Sequence, residues 1–277
     1  MKTNIDYQKL SNELRIDIIK AISRAKSGHP GGSLSAIDLL VYLFYEEIKR
    51  TPENAFLPNR HRFVLSKGHG VPALYAVFAK LGLITYDELM NLRMLGSRTQ
   101  GHPSYIDLPY VEASTGSLGQ GLSVAIGMAI AGKLDKADYR VYCMIGDGEM
   151  QEGQIWEALL SAPKFKLDNL CVILDYNKSQ IDGYVKDVMD LEPIKEKLVA
   201  FKWNVLEIDG HDFKQMKIAF QNAKETKEKP TFIIAHTIKG KGVSFMEDNV
   251  EWHGKAPNEK ETLLALEELK KLLGNHG

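Results

Sequence analysis

The sequence predicts an α/β fold, a three-layer αβα arrangement in which helices cover both faces of a mostly parallel sheet of about five strands. Three observations predict it. The short apolar runs Val141–Ile145 (VYCMI) and Leu170–Leu174 (LCVIL) read as strands buried on both faces, the habit of parallel sheets. Between them Ile155, Leu159, Leu160 and Phe165 recur at roughly helical spacing, so strand, helix and strand make a βαβ unit. Similar runs alternate with helical stretches along the rest of the chain.

Leu14, Ile18, Ile22 and Ala25 give residues 8–26 one buried helical stripe, and the glycines of SGHPGG stop that helix. Leu34–Ile48 is too apolar for a surface helix and is expected to be buried or at an interface. Arg62–Ser66 (RFVLS) reads as the first strand, with a helix over Val71–Leu81 behind it, and Thr85 with Glu88 is a capping-box signature before a short helix. Residues 94–118 are rich in Gly, Ser, Thr and Pro and have no period. A stretch of about 25 residues without structure is uncommon inside a compact domain and usually functional, so this one is expected to lie across an active site. Gly121, Ala125 and Ala129 put small residues on one helical face, which suits either ordinary core packing or the close approach of a backbone or cofactor. After the βαβ unit come helices over 191–200 and 212–225 and strands over Asn204–Ile208 and Thr231–Ala235. The last helix, Glu259–Leu273, has Asn258 as cap and Gly274 as stop. Lys224–Lys229 reads as a solvated turn.

Composition bounds the function. A chain of 277 residues, 44% hydrophobic, is long enough for one large core, and no Pro- or Gly-rich linker marks a second domain, so residues 1–277 are expected to form a single domain. A formal net charge of −1 gives no electrostatic case for nucleic acid or a membrane surface. No apolar run approaches the roughly 18 residues needed to span a bilayer, and MKTNIDYQKLSNELR lacks the apolar core of a signal peptide; a cytoplasmic location is expected. Cys143 and Cys171 fall inside buried strands, where cysteine acts as a small apolar residue.

The chemistry concentrates where the βαβ strands end. Asp147 lies in a glycine bracket (GDG) after the first strand and Asn177 follows the second, 177 − 147 = 30 positions later. Ligands of open α/β sheets bind at these carboxyl ends. Mg²⁺ takes six oxygen ligands and usually needs only a few from protein, so the Asp147 carboxylate, the Asn177 amide oxygen and the Ser179 carbonyl would suffice beside phosphate and water. Gly146 and Gly148 let a diphosphate approach the backbone, and amides opening the following helix can donate to it. The competing reading of Asp147-Gly148 as a hairpin turn is weakened because a helix, not a strand, follows. Four of the eight histidines sit against glycine in separate irregular segments: His29 (GHPG), His69 (KGHG), His102 (GHPS) and His253 (WHG). Imidazole can take and return protons near neutral pH and can hold sugar hydroxyls.

GDG, about 30 residues and an Asn resemble the thiamine diphosphate motif, and GDGEMQEG with EA and DYNKSQIDG resembles its transketolase version. SGHPGGSLSAIDLL (27–40), LSKGHG (65–70), GSRTQGHPS (96–104), STGSLGQGLSVAIGMA (114–129) and WHG (252–254) follow in family order. The resemblance implies thiamine diphosphate with Mg²⁺, or Ca²⁺ or Mn²⁺ in its place. It implies Asp147, Asn177 and Ser179 as metal ligands, and Gly116, Ser117, Leu118, Asp147, Gly148, Glu149, Asn177, His69 and His253 against the cofactor. His29, His69, His102 and His253 match the family's active-site histidines, and Glu152 the acid that couples to a partner. Ser117 stands where Pro is usual, Gln100 where Pro is common, Ser104 where an acid often follows GHP, and Ser179 where an apolar residue often follows the metal Asn. Lys239 and Lys241 either close over phosphates or form a basic turn. His211, His61, His236 and His276 are expected to be structural or solvated.

Only the diphosphate-binding domain of a three-domain transketolase fits this length. The chain is therefore similar to the N-terminal subunit of a split transketolase, whose partner, the C-terminal subunit, carries the pyrimidine-binding domain and the activating glutamate, in an expected α2β2 heterotetramer acting on sugar phosphates. The implied reaction moves a two-carbon ketol unit from ketose to aldose phosphate. The alternatives are a synthase condensing pyruvate with a triose phosphate, a ketolase for a modified sugar, and a non-catalytic subunit that stabilises its partner.

Overall fold

A computed structural model of the chain describes residues 5–274. The expected helices and strands are present, with additions. In chain order they run α1 (Tyr7–Ala25), α2 (Pro30–Tyr42), β1 (Arg62–Leu65), α3 (Val71–Lys80), α4 (Tyr86–Met90), α5 (Gln120–Leu134), β2 (Val141–Gly146) and α6 (Gly153–Lys164). There follow β3 (Leu170–Tyr176), β4 (Ser179–Gln180), β5 (Gly183–Tyr184), α7 (Val185–Val188), α8 (Ile194–Ala200), β6 (Asn204–Asp209), α9 (Phe213–Glu225), β7 (Thr231–His236) and α10 (Glu259–Gly274). The main sheet has the order β1-β2-β3-β7-β6, and every neighbouring pair is parallel.

The strands at the centre are apolar throughout because both faces are covered. Tyr142, Met144, Cys171, Ile173, Ile233 and Ala235 point into the core shared with α1, α2, α3, α9 and α10. The intervening residues Val141, Cys143, Ile145, Val172, Leu174 and Ile234 point into the core shared with α5, α6 and α8. Both cysteines are buried and free. Leu34–Ile48 is buried except for a half-exposed stretch at Tyr45–Glu47, and α2 continues through a π-helical turn at Leu43–Ile48.

On α6 the stripe departs from expectation: Ile155, Ala158, Leu159 and Ala162 are buried, whereas Leu160 and Phe165 are 60% and 52% exposed. Small alanines let the helix lie close to the sheet, so the apolar face is set by i, i+3, i+4 and i+7 from Ile155 rather than by the largest side chains. Thr85 and Glu88 form the capping box expected of them. Asn258 Oδ1 accepts from Glu261 N at 2.9 Å, and Glu261 Oε2 accepts from Asn258 N at 2.8 Å, so α10 begins with a second such box. Gly274 is the last residue of α10, and His276 lies outside the described residues. Among the described residues no helix is long and apolar enough to cross a membrane.

Candidate active site

The carboxyl ends of β1, β2, β3 and β7 open onto one cavity of about 350 Å³. Its lining includes Asp147 and Gly148 after β2, Asn177, Ser179 and Ile181 after β3, Lys67 and His69 after β1, and Lys239 and His253 after β7. Parallel strands end on the same side, so residues more than 180 positions apart meet without any long-range pairing of loops.

Asp147 is 2% exposed. Its Oδ1 accepts from Gly148 N at 2.8 Å and its Oδ2 from Lys178 N, which holds the start of the post-β3 loop against the post-β2 loop. Burial, followed by the charge of Asp175, pushes the Asp147 carboxyl up to about 7, against the pull of the two amides. That is the state of a buried carboxylate short of positive charge. Gly148 is required here: a Cβ on it would stand 2.6 Å from Gln180 Cβ. Asn177 Oδ1 accepts from Ser179 N at 3.2 Å and keeps a second lone pair. Lys239 is buried, and burial pushes its ammonium down to about 8.

These residues fit a divalent cation with a diphosphate. Among the described residues no three His, Cys, Asp or Glu side chains form a metal-binding set. Asp147, Asn177 and the Ser179 carbonyl supply oxygen donors for part of an octahedral shell, and diphosphate and water oxygens suit the remainder. Lys239 supplies a cation to the same cavity.

The four glycine-flanked histidines come together. His29 stands 5.2 Å from His69, 6.2 Å from His102 and 5.6 Å from His253 between ring centroids, and His69 is 5.1 Å from His253. Burial lowers all four imidazoles, His29 to about 4 and His253 to about 3. After burial the largest contributions are Arg93 for His29 and His102, Lys67 for His69, and Lys239 for His253. Each ring is therefore neutral near pH 7, with one N–H and one lone-pair nitrogen. His29 Nδ1 is buried without a hydrogen-bond partner. His102 arrives on the aperiodic segment 94–118, which Thr115 ties to β1 through a 2.6 Å bond to the Leu65 carbonyl.

Other expected residues separate. Leu118 and Glu152 line the cavity, Glu152 as an exposed residue at the start of α6. Gly116 packs under the His102 ring and has φ +138°, while Ser117 is exposed and outside the cavity. Glu149 differs from expectation: it is 2% exposed and lies behind the cavity. Its Oε1 accepts from Ser66 Oγ at 2.5 Å and Gly119 N at 2.8 Å, and its Oε2 from Gly146 N at 3.1 Å. It braces three segments behind the cavity. Lys239 Nζ is 2.9 Å from His253 Nδ1, whereas Lys241 lies 3.8 Å from Glu247 and outside the cavity. His211 accepts from Ile238 N at its Nε2 (3.0 Å), so its Nδ1 carries the proton donated to Asp38 Oδ2 at 2.6 Å. It is structural, as is His61, whose Nδ1 accepts from Arg140 N at 3.0 Å.

Sequence reasoning passed over a buried network beneath the cavity. Asp175, at 0% exposure, accepts from Lys67 Nζ, Thr237 Oγ1, Ser35 Oγ (2.7 Å) and Asn177 Nδ2 (3.3 Å). Burial pushes its carboxyl up, but the Lys67 ammonium and the two hydroxyls outweigh this and hold it below the usual range. The available signal was an acid at the end of a wholly apolar strand, a position that needs a buried cation.

Residues 6–276 match the family described as transketolase, thiamine diphosphate binding domain. The chain is 41% identical to an apulose-4-phosphate transketolase subunit of Phocaeicola vulgatus, over 96% of this chain and 93% of that one. It is 42% identical to a 6-deoxy-6-sulfo-D-fructose transketolase subunit of a Clostridium species, over 96% and 97%. With human transketolase it shares 44% identity over 90% of this chain, which spans only 41% of the human protein. The crystal structure of Campylobacter jejuni transketolase superposes with a TM-score of 0.89 at 36% identity, covering 97% of this chain and 43% of that one. On the fold, the cavity and these matches, the chain belongs to the transketolase family and carries its thiamine diphosphate binding domain.

Proposed function

We propose that this chain is the N-terminal subunit of a two-chain transketolase, a single diphosphate-binding domain that supplies half of a thiamine diphosphate site. The observation that carries the reading is the convergence of Asp147, Asn177, Lys239, His69 and His253 on one cavity, with the His29 ring packed against both of these imidazoles and against His102. Two relatives that this chain covers almost end to end are both named as transketolase subunits, which supports a partner chain bearing the pyrimidine-binding domain. An α2β2 heterotetramer in the cytoplasm is the corresponding assembly.

Thiamine diphosphate, when bound, supplies the electron sink for breaking and forming the carbon–carbon bond. Asp147, Asn177 and the Ser179 carbonyl hold Mg²⁺, and Lys239, Gly148 and His69 receive the diphosphate. His29, His102 and His253, each with a free lone pair or N–H, orient sugar hydroxyls and accept or return the proton of the reacting hydroxyl. Glu152, exposed at the cavity rim, is placed to meet a partner residue. Gly116 and Leu118 form the wall beside the pyrimidine, with Ser117 and Glu149 as expected contributors whose positions here are peripheral.

Both relatives named as subunits carry modified sugars in their names, apulose 4-phosphate and 6-deoxy-6-sulfo-D-fructose, and this favours a modified-sugar donor as the second reading. The test is reconstitution with the candidate partner chain, followed by transfer to ribose 5-phosphate from xylulose 5-phosphate and from modified ketose donors. The complex should turn over with at least one donor, and this chain alone with none; full turnover without the partner refutes the two-chain reading. Asp147→Ala should abolish Mg²⁺-dependent cofactor binding in the complex, and unchanged affinity would remove Asp147 from the metal site.

A further inference from the structure

An asparagine amide has two faces of opposite character: its oxygen coordinates a cation and its NH2 cannot. The group is nearly symmetric, so its surroundings decide which face meets the site. Around Asn177 the neighbours agree. Ser179 N–H can only donate, and it meets Oδ1 at 3.2 Å. Asp175 Oδ2, ion-paired with Lys67, can only accept, and it meets Nδ2 at 3.3 Å. Ser35 Oγ lies 2.7 Å from the same Asp175 oxygen, gives its hydrogen there and presents a lone pair to Nδ2 at 3.4 Å. Reversing the amide would set NH2 against N–H and oxygen against carboxylate.

We propose that Asp175 is the positioning residue of the cation site: its buried carboxylate, held by Lys67, Thr237 and Ser35, fixes the Asn177 amide with Oδ1 as the only atom available to a metal. The proposal rests on Asn177 being a metal ligand. Asp175 does not itself line the cavity. It acts from beneath, joining Ser35 of α2, Lys67 after β1 and Thr237 after β7 to the ligand-bearing loop after β3. Such partners behind a ligand commonly change metal affinity about 10- to 100-fold when removed.

The test is Mn²⁺ affinity of the chain reconstituted with its partner and thiamine diphosphate, read by electron paramagnetic resonance and corrected for Mn²⁺ bound to free cofactor, with circular dichroism as the check of folding. Asp175→Asn should weaken Mn²⁺ binding about 10- to 100-fold. Ser35→Ala, which removes one contact from both the carboxylate and the amide without a charge change, should weaken it in the same direction. In an Asn177→Ala background no amide remains to be oriented, so there Asp175→Asn should cost less than about threefold, a coupling that a general loosening of the fold would not produce. Wild-type affinity in folded Asp175→Asn and Ser35→Ala overturns the proposal, as does an undiminished loss in the Asn177→Ala background. Absence of Mn²⁺ binding by the wild-type complex overturns the metal reading of Asp147 and Asn177 and this proposal with it.

Discussion

Asp38→Asn removes the anion from a buried junction that holds α1, α2 and the loop after β7 together. Arg15 and Asp38 are 1% and 0% exposed, and Arg15 Nη2 meets Asp38 Oδ2 at 2.6 Å. Without the carboxylate charge, Arg15 keeps only the neutral acceptors Asn12 Oδ1 at 3.0 Å and Leu34 O at 3.5 Å. Leaving one member of a buried ion pair uncompensated costs about 3–5 kcal/mol. That is a large part of the roughly 5–15 kcal/mol by which a domain is stable. Urea unfolding followed by circular dichroism should show a loss of this size, and Arg15→Met combined with Asp38→Asn should recover most of it. The pH profile supplies a second readout. Burial raises the Asp38 carboxyl, but Arg15 and His211 outweigh burial and bring it down to about 2 from an ordinary value of 3.8. Since the folded value lies below the unfolded one, this stabilisation is complete above about pH 4 and is lost as pH falls through about 2. The wild type should therefore lose stability more steeply than the variant across that window. A loss under about 1 kcal/mol, or no recovery in the double variant, refutes the reasoning.

Lys239→Met should weaken inorganic pyrophosphate binding by calorimetry, and the wild type's advantage should shrink as pH rises through about 8, where the Lys239 ammonium loses its proton; an advantage constant from pH 7 to 9 refutes its role. In Gly121→Ala the new Cβ stands 2.6 Å from Ser66 Cβ and 2.7 Å from Ser66 Cα, so α5 must shift from β1 at a cost of about 1–3 kcal/mol. A change below about 0.5 kcal/mol in urea unfolding would show that the contact relaxes freely.

The main sheet was legible because its strands are apolar runs between helical periods, and such runs keep their meaning whatever the tertiary context. The histidines were legible because an adjacent glycine marks an irregular loop. What escaped reading depends on distance across the fold. Lys67 sits in LSKGHG, where a lysine beside glycine normally points to solvent; only the chain's return through Asp175 makes it a buried ion. Glu149 belongs to the motif that holds Asp147, yet one turn of 3-10 helix at Glu149–Gln151 carries its side chain behind the strand end. Strands β4 and β5, two residues each, are too short to carry a period. Leu160 and Phe165 misled because size alone does not say which side of a helix faces the sheet.

The position of Glu149 divides the site mechanically. Its two oxygens fasten the ends of β1 and β2 to the first residue before α5, so the floor beneath Asp147 behaves as one casting. The hairpin of β4 and β5 that forms a wall of the same cavity pairs with no other strand and carries Ile181 at 64% exposure. Two-stranded hairpins are marginal by themselves. The cavity therefore joins a floor fixed by buried hydrogen bonds to a wall that has little holding it but its own short pairing. Substitutions at Gln180–Asp182 should reshape the cavity without disturbing the hydrogen bonds of the floor.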